Sequence, residues 1–150
     1  MRAGVSFLLW LMLLPAPVYG QPATPLDAFA GSWSARWAQG VRTFPDGSME
    51  IERWGEGSLD IEVEEDAASA TWTTEVRERV SWVLEGALEG GALVLRSVGH
   101  DSSNPELAVV ERLEMKVRLE GGELAGGMWL HFRGRTRTSS ERPIRAERTN

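Results

Sequence analysis

From residue 31 onward the chain is written in period two. Leu59, Ile61 and Val63 alternate with Asp60, Glu62 and Glu64, so an extended backbone here has one apolar side and one side of carboxylates. Such alternation marks a strand that is dry on one face and wet on the other. The same rhythm places Trp33, Ala35 and Trp37 on one side of a first strand, and Met49, Ile51 and Arg53 on the next. Residues 93–98 read as a further strand. Leu107, Val109, Glu111, Leu113, Met115, Val117 and Leu119 share one parity; Leu124, Met128, Leu130 and Phe132 share another, and residues 144–148 close the chain. Turn residues separate the runs: Gln39-Gly40, Pro45-Asp46-Gly47, Gly55 and Gly57, Asp66-Ala67-Ala68, Gly90-Gly91 and Gly121-Gly122. Proline presets φ and glycine accepts a positive one, which is why these residues punctuate.

One segment reads two ways. Trp72, Thr74, Val76, Glu78, Val80, Trp82 and Leu84 share one parity with no turn signal between them. Residues 75–84 also fit a helix, with Glu75 and Arg79 paired one turn apart. Strand is favoured, because the parity continues from Trp72 and no helix cap is present. A straight strand of that length is implausible, so a bend or an unsignalled hairpin is expected near Arg79. Residues 26–29 fit a single helical turn. The expected fold is therefore all-β, an antiparallel up-and-down meander of roughly eight to ten strands, closed into a barrel because closure removes exposed edges.

The first residues have a different character. Arg2 precedes an apolar stretch over residues 5–14, interrupted only by Ser6; Pro15, Pro17 and the small residue Gly20 follow. These are the marks of a secretory signal, and the stretch is shorter than the ~20 residues that span a bilayer. Residues 1–20 are expected to be a cleaved signal peptide, 21–30 an N-terminal arm and 31–150 a barrel domain. The protein is then exported, to the periplasm or the extracellular medium, with no stable membrane anchor after cleavage. The chain has no cysteine, so neither a lipid anchor on cysteine nor a disulfide is available, and the domain must rely on its own core. Removing Arg2 with the leader takes the net charge from −6 to −7. That balance argues against nucleic acid as a partner.

The opening of the first strand, Phe29-Ala30-Gly31-Ser32-Trp33, resembles the Gly-x-Trp start of lipocalins and related calycin barrels. In those barrels a basic residue of the last strand packs over the first-strand tryptophan. Arg148, or Arg145, stands where the resemblance puts that residue, which makes Gly31, Trp33 and Arg148 the expected closure of the base. The resemblance also implies a small apolar ligand in the barrel interior. The loop motif and the disulfide cysteines of the kernel lipocalins are absent.

Six tryptophans follow the leader: Trp33, Trp37, Trp54, Trp72, Trp82 and Trp129. They either line a ligand cavity or fill a packed core, since small barrels are usually filled by side chains. Glu78 and Glu111 each interrupt an apolar parity. Facing inward, they would orient a polar ligand group or form an acid/base pair of the kind that cleaves sugars; a β-bulge would instead turn them outward. The candidate ligand-binding set is Trp37, Trp72, Glu78, Trp82 and Glu111. Arg133, Arg135 and Arg137 form a basic ladder with Trp129 and His131, either an anion site or a solvated face. With only His100 and His131 and no cysteine, a structural zinc site or thiol nucleophile cannot be assembled. His100-Asp101-Ser102 is adjacent in sequence, which does not make a triad. The acidic run 60–66 lies on a strand and does not enclose a calcium ion. No metal or cofactor is expected and no catalytic centre, with a carboxylate hydrolase through Glu78 and Glu111 as the remaining enzymatic reading. The other class is a packed barrel that acts through its surface, as an interaction or structural module of the cell envelope, with its protein partner unspecified.

Intact-mass measurement of the protein purified from its native host is expected to show loss of residues 1–20. Recovery of the full-length chain in the membrane fraction would overturn this.

Overall fold

A computed structural model describes residues 24–75, 79–101, 109–134, 139 and 141–150. The expected signal peptide and its cleavage site lie outside the described residues, as does Glu78. A 3-10 turn, Leu26–Phe29, leads into eight antiparallel strands among the described residues: β1 (Gly31–Thr43), β2 (Met49–Glu64), β3 (Ala67–Glu75), β4 (Arg79–Glu89), β5 (Ala92–Asp101), β6 (Val110–Glu120), β7 (Glu123–Phe132) and β8 (Arg142–Arg148). Each strand pairs with its neighbour in sequence, and β8 pairs back onto β1, which closes the barrel. The ambiguous segment is a hairpin: Trp72 of β3 sits directly opposite Trp82 of β4, and Glu75 opposite Arg79.

Two sequence expectations fail for the same reason. Gln39-Gly40 does not turn the chain, and Gly55 and Gly57 do not interrupt it. All lie within the long strands β1 and β2, whose ladder runs from Gly31 opposite Ile61 to Thr43 opposite Met49, with irregularities beside Gly40. Glycine inside a strand marks a bulge or a close approach as often as a turn, and both occur here. The hairpin after β2 turns at Glu65 and Asp66, so Ala67 and Ala68 already belong to β3.

The connections divide the barrel into two ends. Short turns at 65–66, 90–91 and 121–122 join β2–β3, β4–β5 and β6–β7 at the base, where β1 begins and β8 finishes. At the opposite end, the mouth, lie the β1–β2 connection, the last described residues of β3, β5 and β7 and the first of β4, β6 and β8. There the β1–β2 hairpin is fastened by Asp46, whose Oδ1 accepts from Ser48 N–H at 2.9 Å and from Ser48 Oγ at 2.6 Å. Those two donors hold the Asp46 carboxyl below the usual carboxylate range.

At the base the core is plugged. Phe29 and Trp33 have no exposed surface, and the Trp33 indole N–H donates to the Phe29 carbonyl at 3.0 Å. The Arg148 guanidinium carbon lies 4.2 Å from the centre of the Trp33 ring. Its Nη2 donates to Ala28 O at 2.9 Å and its Nη1 to Ala30 O. Gly31 is required between them. Its φ is +125°, and a Cβ there would lie 2.5 Å from Arg148 Nη1. The arginine thus combines cation–π stacking, worth about 0.5–2 kcal/mol, with hydrogen bonds to carbonyls that the 3-10 turn leaves without partners. Above this plug, inward side chains such as Leu59, Leu84, Leu95, Met115 and Leu124 fill the lower barrel, all 1% exposed or less.

Trp33→Ala is expected to cost about 3–5 kcal/mol in chemical denaturation, as a large-to-small change at a fully buried site. Arg148→Ala should cost less, and the double mutant should fall short of additivity because the two side chains are in contact. Strict additivity would mean that the stacking contributes nothing.

Candidate functional site

The upper interior is where polar and aromatic side chains meet. Trp37, Trp72 and Trp82 all point inward and are 8%, 1% and 4% exposed. Trp72 and Trp82 face each other across the β3–β4 hairpin. Trp37 and Trp72 lean on β2 at its two inward glycines. A Cβ on Gly55 would lie 2.6 Å from Trp37 Nε1, and one on Gly57 would lie 2.5 Å from the Thr73 carbonyl oxygen of β3 and 2.8 Å from Trp72 Cη2. Neither ring has room to lie there unless β2 lacks a side chain beneath it. Both indoles are therefore held against the wall formed by β2. Thr74, 8% exposed, is the buried polar residue beside them, and its Oγ1 reaches Glu56 O at 3.5 Å.

Arg142 shares this region. It starts β8 on the same parity as Ile144 and Ala146, the inward face. Its guanidinium carbon stands 5.9 Å from the centre of the Trp37 ring, and Nη1 donates to Gln39 O at 2.9 Å. The Arg142 Nε and the Trp37 Nε1 are both buried with no acceptor. A buried donor left unpaired costs about 1–3 kcal/mol. Burial also pushes the Arg142 pKa below its ordinary value, because desolvation penalises the cation. His100 stands opposite Trp82, with ring centres 4.8 Å apart and planes tilted by 50°.

Glu111 is not part of this interior. It is the extra residue of a bulge: Val110 pairs with Phe132 and Arg112 with His131, so Glu111 has no partner and is exposed. The bulge shifts the inward parity, which also leaves Val109 exposed at 54% and makes Val110 the buried residue. The expected inward carboxylate at Glu111 is thereby corrected. A matching bulge in β5 leaves Val98 unpaired between Gly99, opposite Val83, and Ser97, opposite Leu84. Among the described residues, the charged side chain placed inside the upper barrel is Arg142.

The remaining candidates lie on the outside. His131 Nε2 is 3.9 Å from Glu114 Oε2, which also receives Arg96 Nε at 3.2 Å; Arg96 extends to Glu89 at 3.2 Å. Pairing with Glu89 and Glu114 raises the Arg96 pKa. Arg96 and Glu89 are exposed, and pairs of that kind contribute about 0–1 kcal/mol; Glu114 and His131 are half-buried, and His131 Nε2 is buried without a hydrogen-bond partner. Arg133 is exposed in the turn after β7, while Arg135 and Arg137 lie outside the described residues. Trp54 faces outward on β2 with the Arg36 guanidinium 5.5 Å from its ring, beside a hollow of about 310 Å³ lined also by Glu123, Arg145 and Glu147. Among the described residues, no group of three or more His, Cys, Asp or Glu side chains is placed to hold a metal ion.

No protein-family profile matches the sequence, and no curated protein resembles it at a significant level. The fold is similar to the crystal structure of Rv2717c from M. tuberculosis, with 13% sequence identity and a TM-score of 0.47, over 83% of this chain and 95% of that one.

Gly55→Ala is expected to displace the Trp37 ring, lowering stability by about 1–3 kcal/mol as overpacking does and altering the near-UV circular dichroism. Gly99→Ala, where a Cβ would meet nothing within 4 Å, should change neither. An unaltered tryptophan signal in Gly55→Ala would mean that the ring is free to sit elsewhere.

Proposed function

We propose that this protein is an exported, lipocalin-like barrel that binds a small apolar molecule in its upper interior, without catalysis. The observation that carries the reading is the seating of Trp37 and Trp72 on Gly55 and Gly57. Indoles that served only to fill the core would gain most by reaching across it. Here two strand positions give up their side chains so that the rings lie along the wall. An apolar wall with a few polar groups is the usual composition of a small-molecule site. The division of the barrel is consistent with this, since the base is plugged by Phe29, Trp33 and Arg148 while polar side chains gather below the mouth. The periplasm or the extracellular medium is the proposed compartment, on the character of residues 1–20.

The second reading, a barrel that works through its surface, has one feature in its favour: the outward Trp54 with Arg36 beside it, at the edge of an open hollow. The two readings separate on tryptophan substitutions. N-phenyl-1-naphthylamine, an uncharged fluorescent probe, is expected to bind with enhanced emission. Trp72→Ala should weaken its binding at least severalfold, and Trp54→Ala should leave it unchanged. Absence of probe binding, or loss on Trp54→Ala alone, would overturn the interior site.

A further inference from the structure

We infer that the outer face of the barrel carries a second site, for a neutral saccharide, in the hollow beside Trp54. It is separate from the interior and does not rest on the function proposed for that space. Trp54 shares the outward parity of β2 with Glu56, Ser58 and Asp60, and it is half-buried. Ala38, directly opposite it on β1, is also at an outward position yet has no exposed surface. The Arg36 guanidinium carbon lies 5.5 Å from the centre of the Trp54 ring. Beside them opens the hollow of about 310 Å³, lined also by Ser34, Glu123, Arg145 and Glu147. Small-molecule sites begin at about 300 Å³.

The charges around the hollow narrow the class of occupant. The β1–β8 ladder sets Arg36 directly opposite Arg145, and Ser34 directly opposite Glu147. Like charges in opposite positions destabilise a sheet unless carboxylates relieve them. Glu123 and Glu147 line the same space, but neither these two nor the two arginines form an ion pair among the described residues. Donors and acceptors thus stand round one hollow with their hydrogen-bonding groups open. Their formal charges cancel. An anion would be drawn by Arg36 and Arg145 and repelled by Glu123 and Glu147, and a cation the reverse.

A sugar answers both sets at once. A guanidinium only donates and an ionised carboxylate only accepts, whereas a hydroxyl does either. Neighbouring hydroxyls of a pyranose therefore pair with arginine and glutamate alike, and bring no charge of their own. Hydrogen bonds to an ionised partner are the stronger kind. The C–H face of the sugar ring suits the indole, whose π face is negative. An apolar peptide laid in the same place would bury the charged groups without partners, at a high cost.

The test titrates isotopically labelled protein with cellotetraose, chitotetraose and mannotetraose, followed by proton–nitrogen correlation spectra. At least one of these neutral sugars is expected to give saturable shifts at the Trp54 indole N–H and at the backbone amides of Arg145 and Glu147. Trp54→Ala should weaken binding at least tenfold, read on the β8 amides, and Glu147→Ala at least threefold; the same spectra report that each variant is folded. Tetragalacturonate should bind at least tenfold more weakly, and N-phenyl-1-naphthylamine should not compete. No saturable shift with any neutral sugar, or shifts that survive Trp54→Ala, would overturn the site. Tetragalacturonate binding as tightly as the neutral sugars would overturn the assignment of a neutral ligand, and competition by the probe would overturn the separation from the interior.

Discussion

The structure depends on a single closure, the pairing of β1 with β8. An eight-strand meander has two edges, each a row of unpaired backbone groups, until its last strand meets its first. Here that joint is five residue pairs long, from Trp33 opposite Arg148 to Trp37 opposite Ile144. It is reinforced at both ends by an arginine of β8 reaching to a backbone carbonyl, Arg148 to Ala28 and Ala30, and Arg142 to Gln39. The short ladder explains why those side chains matter. They add directional bonds where the sheet supplies few of its own, and each stands over an indole of β1.

Closure also creates the two environments that divide the molecule. Below, the 3-10 turn folds under the barrel and its carbonyls accept from Trp33 and Arg148. Above, the wall is thinned by glycine, the indoles lie along it, and Arg142 Nε and Trp37 Nε1 are buried without acceptors. An acidic protein with a cation in its interior is an informative combination. The carboxylates of β2, which dominate the net charge, sit on the outer face and do not neutralise Arg142.

Much of the fold was legible because alternation is a direct imprint of strand geometry. The runs around Leu59, Leu93 and Leu124 became strands, and the resemblance carried by Gly31 and Trp33 led to Arg148 as their partner. Where the reading went astray, glycine and bulges were responsible. Gly40, Gly55 and Gly57 looked like punctuation but serve as clearance for a bulge and two rings, a distinction visible only once the facing side chain is known. The single extra residues Val98 and Glu111 reverse the inward parity within a strand, and a bulge has no composition of its own. Arg142 was missed although its parity with Ile144 and Ala146 marks it. A charged residue at a strand end is normally assigned to solvent, and only the position of Trp37 shows otherwise.

The arginines of β8 have a kinetic consequence as well. The hydrogen bond from Arg142 to Gln39 joins residues 103 apart in sequence, and that from Arg148 to Ala28 joins residues 120 apart. The hairpins β2–β3 through β6–β7 need only local contacts, whereas the β1–β8 joint must bring together the two most distant strands of the domain. Loop-closure entropy has to be overcome before that joint contributes any stability, which makes such topologies slow to fold. The chain is thus expected to spend its folding time as an open, curled sheet with both edges exposed. The indole–guanidinium contact at Trp33 is the latch that ends this vulnerable interval.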